Sequence, residues 1–325
     1  MLETDESLFA VSNQWLQDFE KSITDPDYDS LTVLFHDDCH WRDLLAFTWH
    51  IQTVSGIEKI KKALKVHNPK VKPSGFKVDS HRTAPRIVTR AGEEVIEAIF
   101  CFKTKLGQGS GVLRLLPSSK NNHPLKAWTF VTVLDQLSGF GEQLGRKRPK
   151  GDAYSRDFQG PNWLDERNTA IAYADRDPAV LVVGGGQAGL SIAARLRQLN
   201  VDTLIVDLEK RIGDNWRSRY HRLTLHNQLH VNHLPYMPFP PSWPAYIPKD
   251  KLANWFEAYA ESMELNFWTE TEFRGGTYDH NKKKWSVVLH KDGCETRKIH
   301  PRHIIMATGV SGVPKFPEIP SLRQF

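Results

Sequence analysis

The sequence is poor in cysteine and has no long apolar run. Its three cysteines, Cys39, Cys101 and Cys294, are odd in number and far apart, which excludes a disulfide framework and indicates a reducing compartment. The first residues are acidic and amphipathic, without the basic start and apolar stretch of a signal peptide. No segment approaches the roughly 18 apolar residues that a membrane-spanning helix needs. We therefore expect a cytoplasmic protein with no membrane partner.

An excess of one charge is also lacking. The net charge is +5 and the pI is about 9.0, a mild bias for 325 residues. The densest basic run, GRKRPK over residues 145–150, is short and is typical of a solvated linker. We therefore expect no nucleic-acid partner.

The length and the patterning predict two domains. Residues 1–136 carry helical patterns first and strand patterns after them, which favours an α+β domain with a curved sheet wrapped over helices. Residues 137–177 form a polar linker that includes a short helical pattern. From residue 178 to residue 325 the pattern is α/β, beginning with an apolar strand, a glycine turn and a helix. Near its end, LNFWTETEFRGGTYDHNKKKWSVVLHKDGCETRKI predicts three antiparallel strands and RHIIMATG predicts one more buried strand. No internal repeat or low-complexity tract is present.

Local patterns in residues 1–136 give more detailed predictions. Leu8, Trp15 and Phe19 belong to one apolar helical stripe. YDSLTVLFHDD predicts a second, short helix, and SGIEKIKKALKVH predicts a third with Ser55 as its N-cap. Strands follow, with GQGSG as a hairpin turn. Because large aromatic side chains dominate burial, we expect four tryptophans in the core: Trp15, Trp41, Trp49 and Trp128.

The glycine turn GGGQAG carries the chemistry of a dinucleotide site. Gly184, Gly186 and Gly189 fit the G-x-G-x-x-G pattern between a strand and a helix, where the helix N-terminus attracts phosphate. Gln187 and Ala188 complete this loop. Asp207 ends the next strand, eighteen residues past Gly189, where a carboxylate can bind ribose hydroxyls. An acid at that position favours FAD or NAD over NADP.

Three later stretches distinguish FAD from NAD. RIGDNWRSRYHRLTLH follows Asp207 directly, LPYMPFPPSWPAYIPKDKLANWFEAYAE follows it, and HIIMATG comes last. With the glycine loop they resemble the flavin-binding half of flavin-containing monooxygenases, above all the YUCCA-like plant enzymes and their fungal relatives. The resemblance covers residues 161–320. It implies that FAD contacts also come from Gly213, Trp216, Asn227, Ala307, Thr308 and Gly309.

This resemblance also implies an activity. Family members use FAD as cofactor and NADPH as co-substrate, and they insert one oxygen atom of O2 into a small organic substrate. In relatives, a second glycine-rich fold for NADPH follows the segment that resembles GVPKFPEIP (residues 312–320). No second glycine motif is present here, so we expect a chain truncated before the NADPH domain and of doubtful activity alone. The sequence assigns no catalytic residue.

Residues 1–136 resemble the cone domains of ketosteroid-isomerase-like and polyketide-cyclase-like proteins, mainly through LFHDDCHWRDLLAFTWHIQTVSGIEKI. The complete fold class is then an α+β cone domain followed by a partial Rossmann-type FAD-binding domain. Cone domains bind small molecules or form homodimers, and Asp38 or Asp43 with His50 would be the candidates for acid–base catalysis. A non-redox isomerase, cyclase or dimerisation protein therefore stays as the alternative function.

Two histidine-rich stretches raise the question of a metal. HNQLHVNH places His226, His230 and His233 at a spacing that could bind zinc on a helix, but a proline follows and no carboxylate joins them. HDDCH, residues 36–40, offers carboxylate and imidazole groups that could hold iron. We interpret the first as a polar loop and the second as a solvated turn, and we predict no metal site.

Overall fold

The computed structural model describes residues 5–25, 28–116, 125–148, 158–293 and 295–310. The chain divides into two compact units, residues 1–141 and residues 142–325. Cys294 and the segment GVPKFPEIP lie outside the described residues. So does the end of the basic run, of which residues 145–147 form one 3-10 turn.

Described residues of the first unit form a mixed sheet and three helices. The helices are α1 (Asp5–Thr24), α2 (Leu31–Leu34) and α3 (Ile57–Val71). The strands are β1 (Phe35–Leu44), β2 (Ile51–Ser55), β3 (Ser74–Val78), β4 (Arg86–Arg90), β5 (Glu93–Lys103), β6 (Gly107–Leu116) and β7 (Lys126–Leu137). In the sheet they follow the order β2-β1-β7-β6-β5-β3, and β4 also pairs with β5. β1 and β7 run parallel, and the other pairs are antiparallel.

An aromatic core joins α1 and α3 to one face of this sheet. Trp15 and Phe19 of α1 stack at 5.4 Å between ring centroids, and Phe19 lies 4.7 Å from Phe130 of β7. Phe130 in turn stacks on Phe100 of β5 at 5.0 Å. The predicted helical stripe is therefore confirmed as the buried face of α1, because its aromatic residues fill the space under the sheet.

Three local predictions for this unit are wrong. GQGSG is not a turn but part of β6, where a Cβ at Gly109 would lie 2.5 Å from the Phe102 ring. Its glycines thus leave room for phenylalanines of β5. Ser55 lies in β2, and Gly56, with φ of 85°, is the N-cap of α3. HDDCH is strand rather than turn, because β1 already begins at Phe35 and buries Cys39.

The prediction of four core tryptophans is confirmed for two of them. Trp15 and Trp41 are buried, whereas Trp128 is only partly covered. The prediction for Trp49 is wrong, because this side chain is 51% exposed. Trp49 lies in a turn, where its φ is 58°. The spacing of residues around Trp49 does not predict this turn. The turn is held by the carboxylate of Asp43, which accepts hydrogen bonds from the N–H groups of Phe47 and Thr48.

Described residues of the second unit form three sheets and four helices. The helices are α4 (Trp163–Ala172), α5 (Gln187–Gln198), α6 (Asp214–Arg217) and α7 (Lys249–Ser262). The strands are β8 (Val180–Val183), β9 (Thr203–Val206), β10 (Thr224–Gln228), β11 (Tyr246–Pro248), β12 (Asn266–Trp268), β13 (Thr271–Asp279), β14 (Lys284–Lys291), β15 (Glu295–Ile299) and β16 (His303–Met306). The predicted short helix before the first strand is α4, which begins with a capping box at Asn162.

A parallel four-stranded sheet in the order β12-β9-β8-β16 is the centre of this unit. All residues of β8 and β9 are buried, as is typical of parallel strands covered on both faces. β13, β14 and β15 form an antiparallel sheet, and β10 pairs with β11. The mixed α/β organisation predicted from the sequence is present.

Two strands of the second unit differ from the prediction. LNFW was expected to join the antiparallel sheet, but β12 pairs in parallel with β9. HIIM was expected to be buried, but β16 is the last strand of the parallel sheet, and its Met306 is 59% exposed. A strand with a neighbour on one side keeps part of its apolar surface in solvent, so composition alone does not reveal its position.

Candidate functional site

The glycine loop connects β8 to α5, and its glycines are required by close contacts. Gly184 has φ of 105°, and a Cβ there would lie 2.5 Å from the carbonyl oxygen of Ala307. At Gly189 a Cβ would lie 1.9 Å from the carbonyl oxygen of Gly184. Gly186 is the N-cap of α5 and has no side chain to cap the helix. Gly184 and Gly189 therefore pack directly against neighbouring backbone atoms. At Gly186, no side chain covers the backbone at the start of α5, where a ligand could approach.

The N-terminus of α5 is suited to an anion. The first N–H groups of a helix have no partner within it and carry a partial positive charge. Gln187 and Ala188, in the first turn, are exposed. This end of α5 thus presents unpaired N–H donors where a phosphate group would be stabilised.

Asp207 directly follows β9 and lies against the glycine loop. Its Oδ2 accepts a hydrogen bond from the N–H of Gly185 at 2.5 Å, and its Oδ1 accepts one from the N–H of Glu209 at 3.0 Å. An ionised carboxylate can accept about four hydrogen bonds, so Asp207 keeps capacity for a ligand. Burial, with the nearby charges of Asp207 and Asp214, raises the pKa of Glu209. Several carboxylates therefore surround this end of the sheet.

Ala307, Thr308 and Gly309 follow β16 at the same edge of the sheet. The N–H of Ala307 donates to the carbonyl oxygen of Val183 at 2.8 Å, beside the start of the glycine loop. Thr308 and Gly309 are exposed beyond it. The carboxyl ends of β8, β9 and β16 thus bring these residues, Asp207 and the glycines together, which is where parallel α/β sheets bind ligands.

Gly213 and Trp216 lie on a short helix beside this loop. Gly213 has φ of 90°, and a Cβ there would lie 2.5 Å from the carbonyl oxygen of Ala253, so glycine lets α6 pack closely on α7. The indole Nε1 of Trp216 is buried and has no hydrogen-bond partner among the described residues. A buried donor without a partner is costly, and a bound ligand is one way to satisfy it.

Sequence reasoning missed two residues of this region. Asn215 precedes Trp216, and its Nδ2 lies 3.1 Å from the position a Cβ would take at Gly186. The Oδ1 of Asn215 and the Nε1 of Trp255 are buried without partners in the described part of the chain. No motif marked either residue, although Asn215 lies between two that were predicted.

Asn227 and the neighbouring histidines belong to a different part of the second unit's secondary structure from the glycine loop. Asn227 is exposed on β10, which pairs with β11 and not with the strands that carry the glycine loop. The stretch with His226, His230 and His233 is a strand followed by a 3-10 turn, not a helix. The Nδ1 of His233 accepts a hydrogen bond from the N–H of Phe239 at 3.0 Å.

No group of three or more metal-binding side chains occurs among the residues that the structure describes. In the stretch HDDCH, Asp38 and His40 pair at 3.3 Å on the exposed part of β1, while Cys39 faces the core. The alternating exposure of a strand thus divides these residues between two faces.

The acid–base candidates of the first unit do not form a site. Asp43 is buried and its carboxylate accepts hydrogen bonds from the N–H groups of Phe47 and Thr48 and from the hydroxyls of Thr48 and Thr132, at 2.7 to 3.2 Å. These bonds occupy its acceptor capacity, so Asp43 holds a turn and is not available as a base. Asp38 and His50 are exposed.

Comparison with known proteins agrees with this geometry. Residues 178–325 match the model of the family described as pyridine nucleotide-disulphide oxidoreductase. A probable indole-3-pyruvate monooxygenase, YUCCA4 of Arabidopsis thaliana, is 32% identical over 149 residues, which are 46% of this chain and 35% of that protein. Indole-3-pyruvate monooxygenase YUCCA1 of Oryza sativa subsp. japonica is 31% identical over 149 residues, 46% of this chain and 36% of that protein.

The matches to these relatives and to solved structures are partial. The chain spans about a third of the length of the curated relatives it matches. Among solved structures, the flavin-containing monooxygenase from Stenotrophomonas maltophilia is 26% identical with a TM-score of 0.40, over 46% of this chain and 44% of that one. In the described part of the chain, no helix is long and apolar enough to cross a membrane.

Proposed function

We propose that the second unit binds FAD and that the protein acts as an NADPH-dependent monooxygenase on a small organic substrate. One observation carries this proposal: the glycine loop, Asp207 and Ala307 meet at the carboxyl ends of β8, β9 and β16. The match of residues 178–325 to the pyridine nucleotide-disulphide oxidoreductase family and the similarity of part of the chain to indole-3-pyruvate monooxygenases support FAD as the nucleotide.

The residues present fit FAD. The diphosphate would lie at the N-terminus of α5, near Gly186 and Gln187, and the adenosine ribose would lie at Asp207. Within the described residues of the second unit, the buried side-chain atoms without partners are Asn215 Oδ1, Trp216 Nε1 and Trp255 Nε1. All three lie on α6 and α7, which contact each other. A ligand with both donors and acceptors would satisfy such a set.

Bound FAD would supply electron transfer from NADPH and activation of O2. The protein's own residues would bind and orient it: backbone N–H groups at the N-terminus of α5 would hold the diphosphate, and Asp207 would hold ribose hydroxyls. Asp207 also carries a charge that a 2′-phosphate would meet unfavourably, which supports FAD over NADP in this fold. We assign no residue of this chain to NADPH.

For the first unit we propose a ketosteroid-isomerase-like cone that joins two copies of the chain as a homodimer. Its mixed sheet covers α1 and α3, which supports the cone. Stacked aromatic rings fill the space between sheet and helices, and Asp43 is fully engaged, which supports a role other than catalysis. A cytoplasmic location is part of the same proposal.

The test is the flavin content of the purified protein. We expect flavin absorbance in the near-ultraviolet and visible range from the wild-type protein, and much less from Asp207→Ala. The control is Asp175→Ala, whose exposed carboxylate pairs with Arg176 at 3.5 Å. That control should retain flavin. A wild-type protein that takes up no flavin when incubated with excess FAD overturns the proposal. Oxidation of NADPH in air is the second assay.

A further inference from the structure

We propose that Asn215 positions the diphosphate of the bound dinucleotide, with its amide donating to a phosphate oxygen above Gly186. This inference rests on the proposed function. Asn215 is the second residue of α6, and its Nδ2 lies 3.1 Å from the Cβ position at Gly186. Gly186 is the N-cap of α5, so the amide stands beside the first free N–H groups of that helix.

The hydrogen bonding of Asn215 is incomplete in the protein alone. Its Oδ1 is buried and has no partner among the described residues. Buried polar atoms are rarely left so unless a ligand, water or ion completes them. An amide offers a donor and an acceptor together. Phosphate oxygens accept and ribose or ribityl hydroxyls donate, so one dinucleotide presents both complementary groups.

The charges nearby leave a bound diphosphate in need of hydrogen-bond donors. Asp207 and Glu209 lie close to the glycine loop and are negative when ionised, whereas Asp214 is paired with Arg217 at 2.8 Å. The carboxylates of Asp207 and Glu209 repel a diphosphate, which itself carries negative charge. Backbone N–H groups of α5 supply part of the attraction, and the Asn215 amide supplies a side-chain donor at the same point.

Contacts within the unit fix α6 and therefore Asn215. Arg217 donates to the carbonyl oxygen of Ile212 at 2.9 Å and to Asp214 Oδ1 at 2.8 Å. Gly213 packs against Ala253 of α7 so closely that no side chain fits. The Asn215 side chain is thus presented by a helix that is held at both ends, and ligand binding does not have to order it.

The test compares FAD affinity in three variants. Asn215→Asp keeps the shape but replaces the donor by a negative acceptor, and Asn215→Ala removes both groups. The control, Asn200→Asp, adds the same charge just beyond the C-terminus of α5, about 18 Å along the helix from its start. Charges that far apart are largely screened at ordinary salt. Dissociation constants come from quenching of flavin fluorescence, and melting temperatures are measured with and without FAD.

We expect Asn215→Asp to raise the dissociation constant about tenfold or more, the equivalent of one charge-assisted hydrogen bond. Added salt should reduce this difference, because repulsion is screened. Asn215→Ala should weaken binding less, and Asn200→Asp should bind FAD like the wild type. Without FAD, Asn215→Ala should melt at or above the wild-type temperature, because it removes a buried acceptor without a partner.

Other results would overturn the assignment. Unchanged affinity in Asn215→Asp, or an equal loss in Asn200→Asp, would show that Asn215 does not contact the diphosphate. A fall in melting temperature of Asn215→Ala without FAD as large as the fall with FAD would show a purely structural role. If the wild-type protein itself binds no FAD, the proposed function fails together with this assignment. If it binds FAD and the variants match it, only this assignment fails.

Discussion

The hydroxyl of Thr132 donates a 2.7 Å hydrogen bond to the buried carboxylate of Asp43, joining β7 to the turn that follows β1. That turn contains Leu45 and Trp49, both with positive φ, a conformation that costs free energy for residues other than glycine. Asp43 stabilises the turn through the N–H groups of Phe47 and Thr48. A buried carboxylate in the first unit is therefore explained by local structure.

Replacing Asp43 by Asn should destabilise the protein by about 3 kcal/mol, because charged hydrogen bonds are lost and an amide group faces N–H donors. Chemical denaturation followed by fluorescence measures this change. Asp38→Asn, on the exposed side of the same strand, should change the free energy of unfolding by less than about 0.5 kcal/mol. Equal effects in the two variants would contradict the role given to Asp43.

Glu97 makes stability depend on acid pH. Its side chain is 7% exposed and contacts Arg86, Arg90 and Arg114 at 2.8 to 2.9 Å. Burial raises its pKa, but the hydrogen bonds from Arg90 and Arg114 outweigh burial and hold the pKa below its ordinary value of 4.5. Because the pKa of Glu97 is lowered by folding, its ionised carboxylate stabilises the folded protein above pH 4.5. That stabilisation is lost as the pH falls through the folded-state pKa.

Glu97→Gln should therefore be less stable than the wild type at neutral pH, by about 1–3 kcal/mol, and the difference should shrink in acid. Unfolding free energies at several pH values measure both effects. Glu94→Gln, an exposed position of the same strand, is the control and should follow the wild-type curve. A pH-independent difference between Glu97→Gln and wild type would count against this interpretation.

Tyr236 should make the stability of the protein depend on alkaline pH as well. Burial and its hydrogen bond to Glu142 raise the pKa of Tyr236 to about 12, above the ordinary value of 10.0. A raised tyrosine pKa means that its contribution is present below pH 10 and is lost as the pH rises through about 12. Between pH 10 and about 12, the free energy of unfolding, measured by chemical denaturation, should fall less for Tyr236→Phe than for the wild type. Tyr220→Phe, whose ring is 70% exposed, should behave as wild type does.

Gly189→Ala tests the close approach inside the glycine loop. A Cβ at this position would lie 1.9 Å from the carbonyl oxygen of Gly184, which is backbone and cannot rotate away. We expect a loss of at least about 1–3 kcal/mol of stability and a disturbed ligand loop. Gln187→Ala, exposed on the same turn of α5, should leave stability nearly unchanged. Wild-type melting behaviour of Gly189→Ala would show that the loop relaxes more easily than its contacts indicate.

The strand, glycine turn and helix at the start of the second unit were readable from the sequence because their spacing is local. β8, the turn at Gly184 and α5 follow one another directly along the chain, and backbone geometry fixes their spacing. The amphipathic stripe of α1 was also readable, since one periodicity determines one buried face. Both predictions rest on neighbours in the chain.

Features that depend on distant partners were not predictable in the same way. GQGSG has the composition of a turn, but it lies in β6, where a phenylalanine ring of β5 covers Gly109. HIIM is apolar enough for a buried strand, and only the sheet order shows that, among the described strands, β16 pairs with β8 alone. No sequence pattern marks Asn215, whose Nδ2 lies beside Gly186 and whose buried Oδ1 has no partner among the described residues.

The hydrogen bond between Asp207 and Gly185 has a kinetic consequence. In the proposed dinucleotide site this bond already restrains the glycine loop without a ligand, so binding has less backbone to order. The association rate is then set by diffusion and by the charge of the approaching phosphates. Differences in affinity among variants of this loop should appear mainly as differences in how long the dinucleotide remains bound.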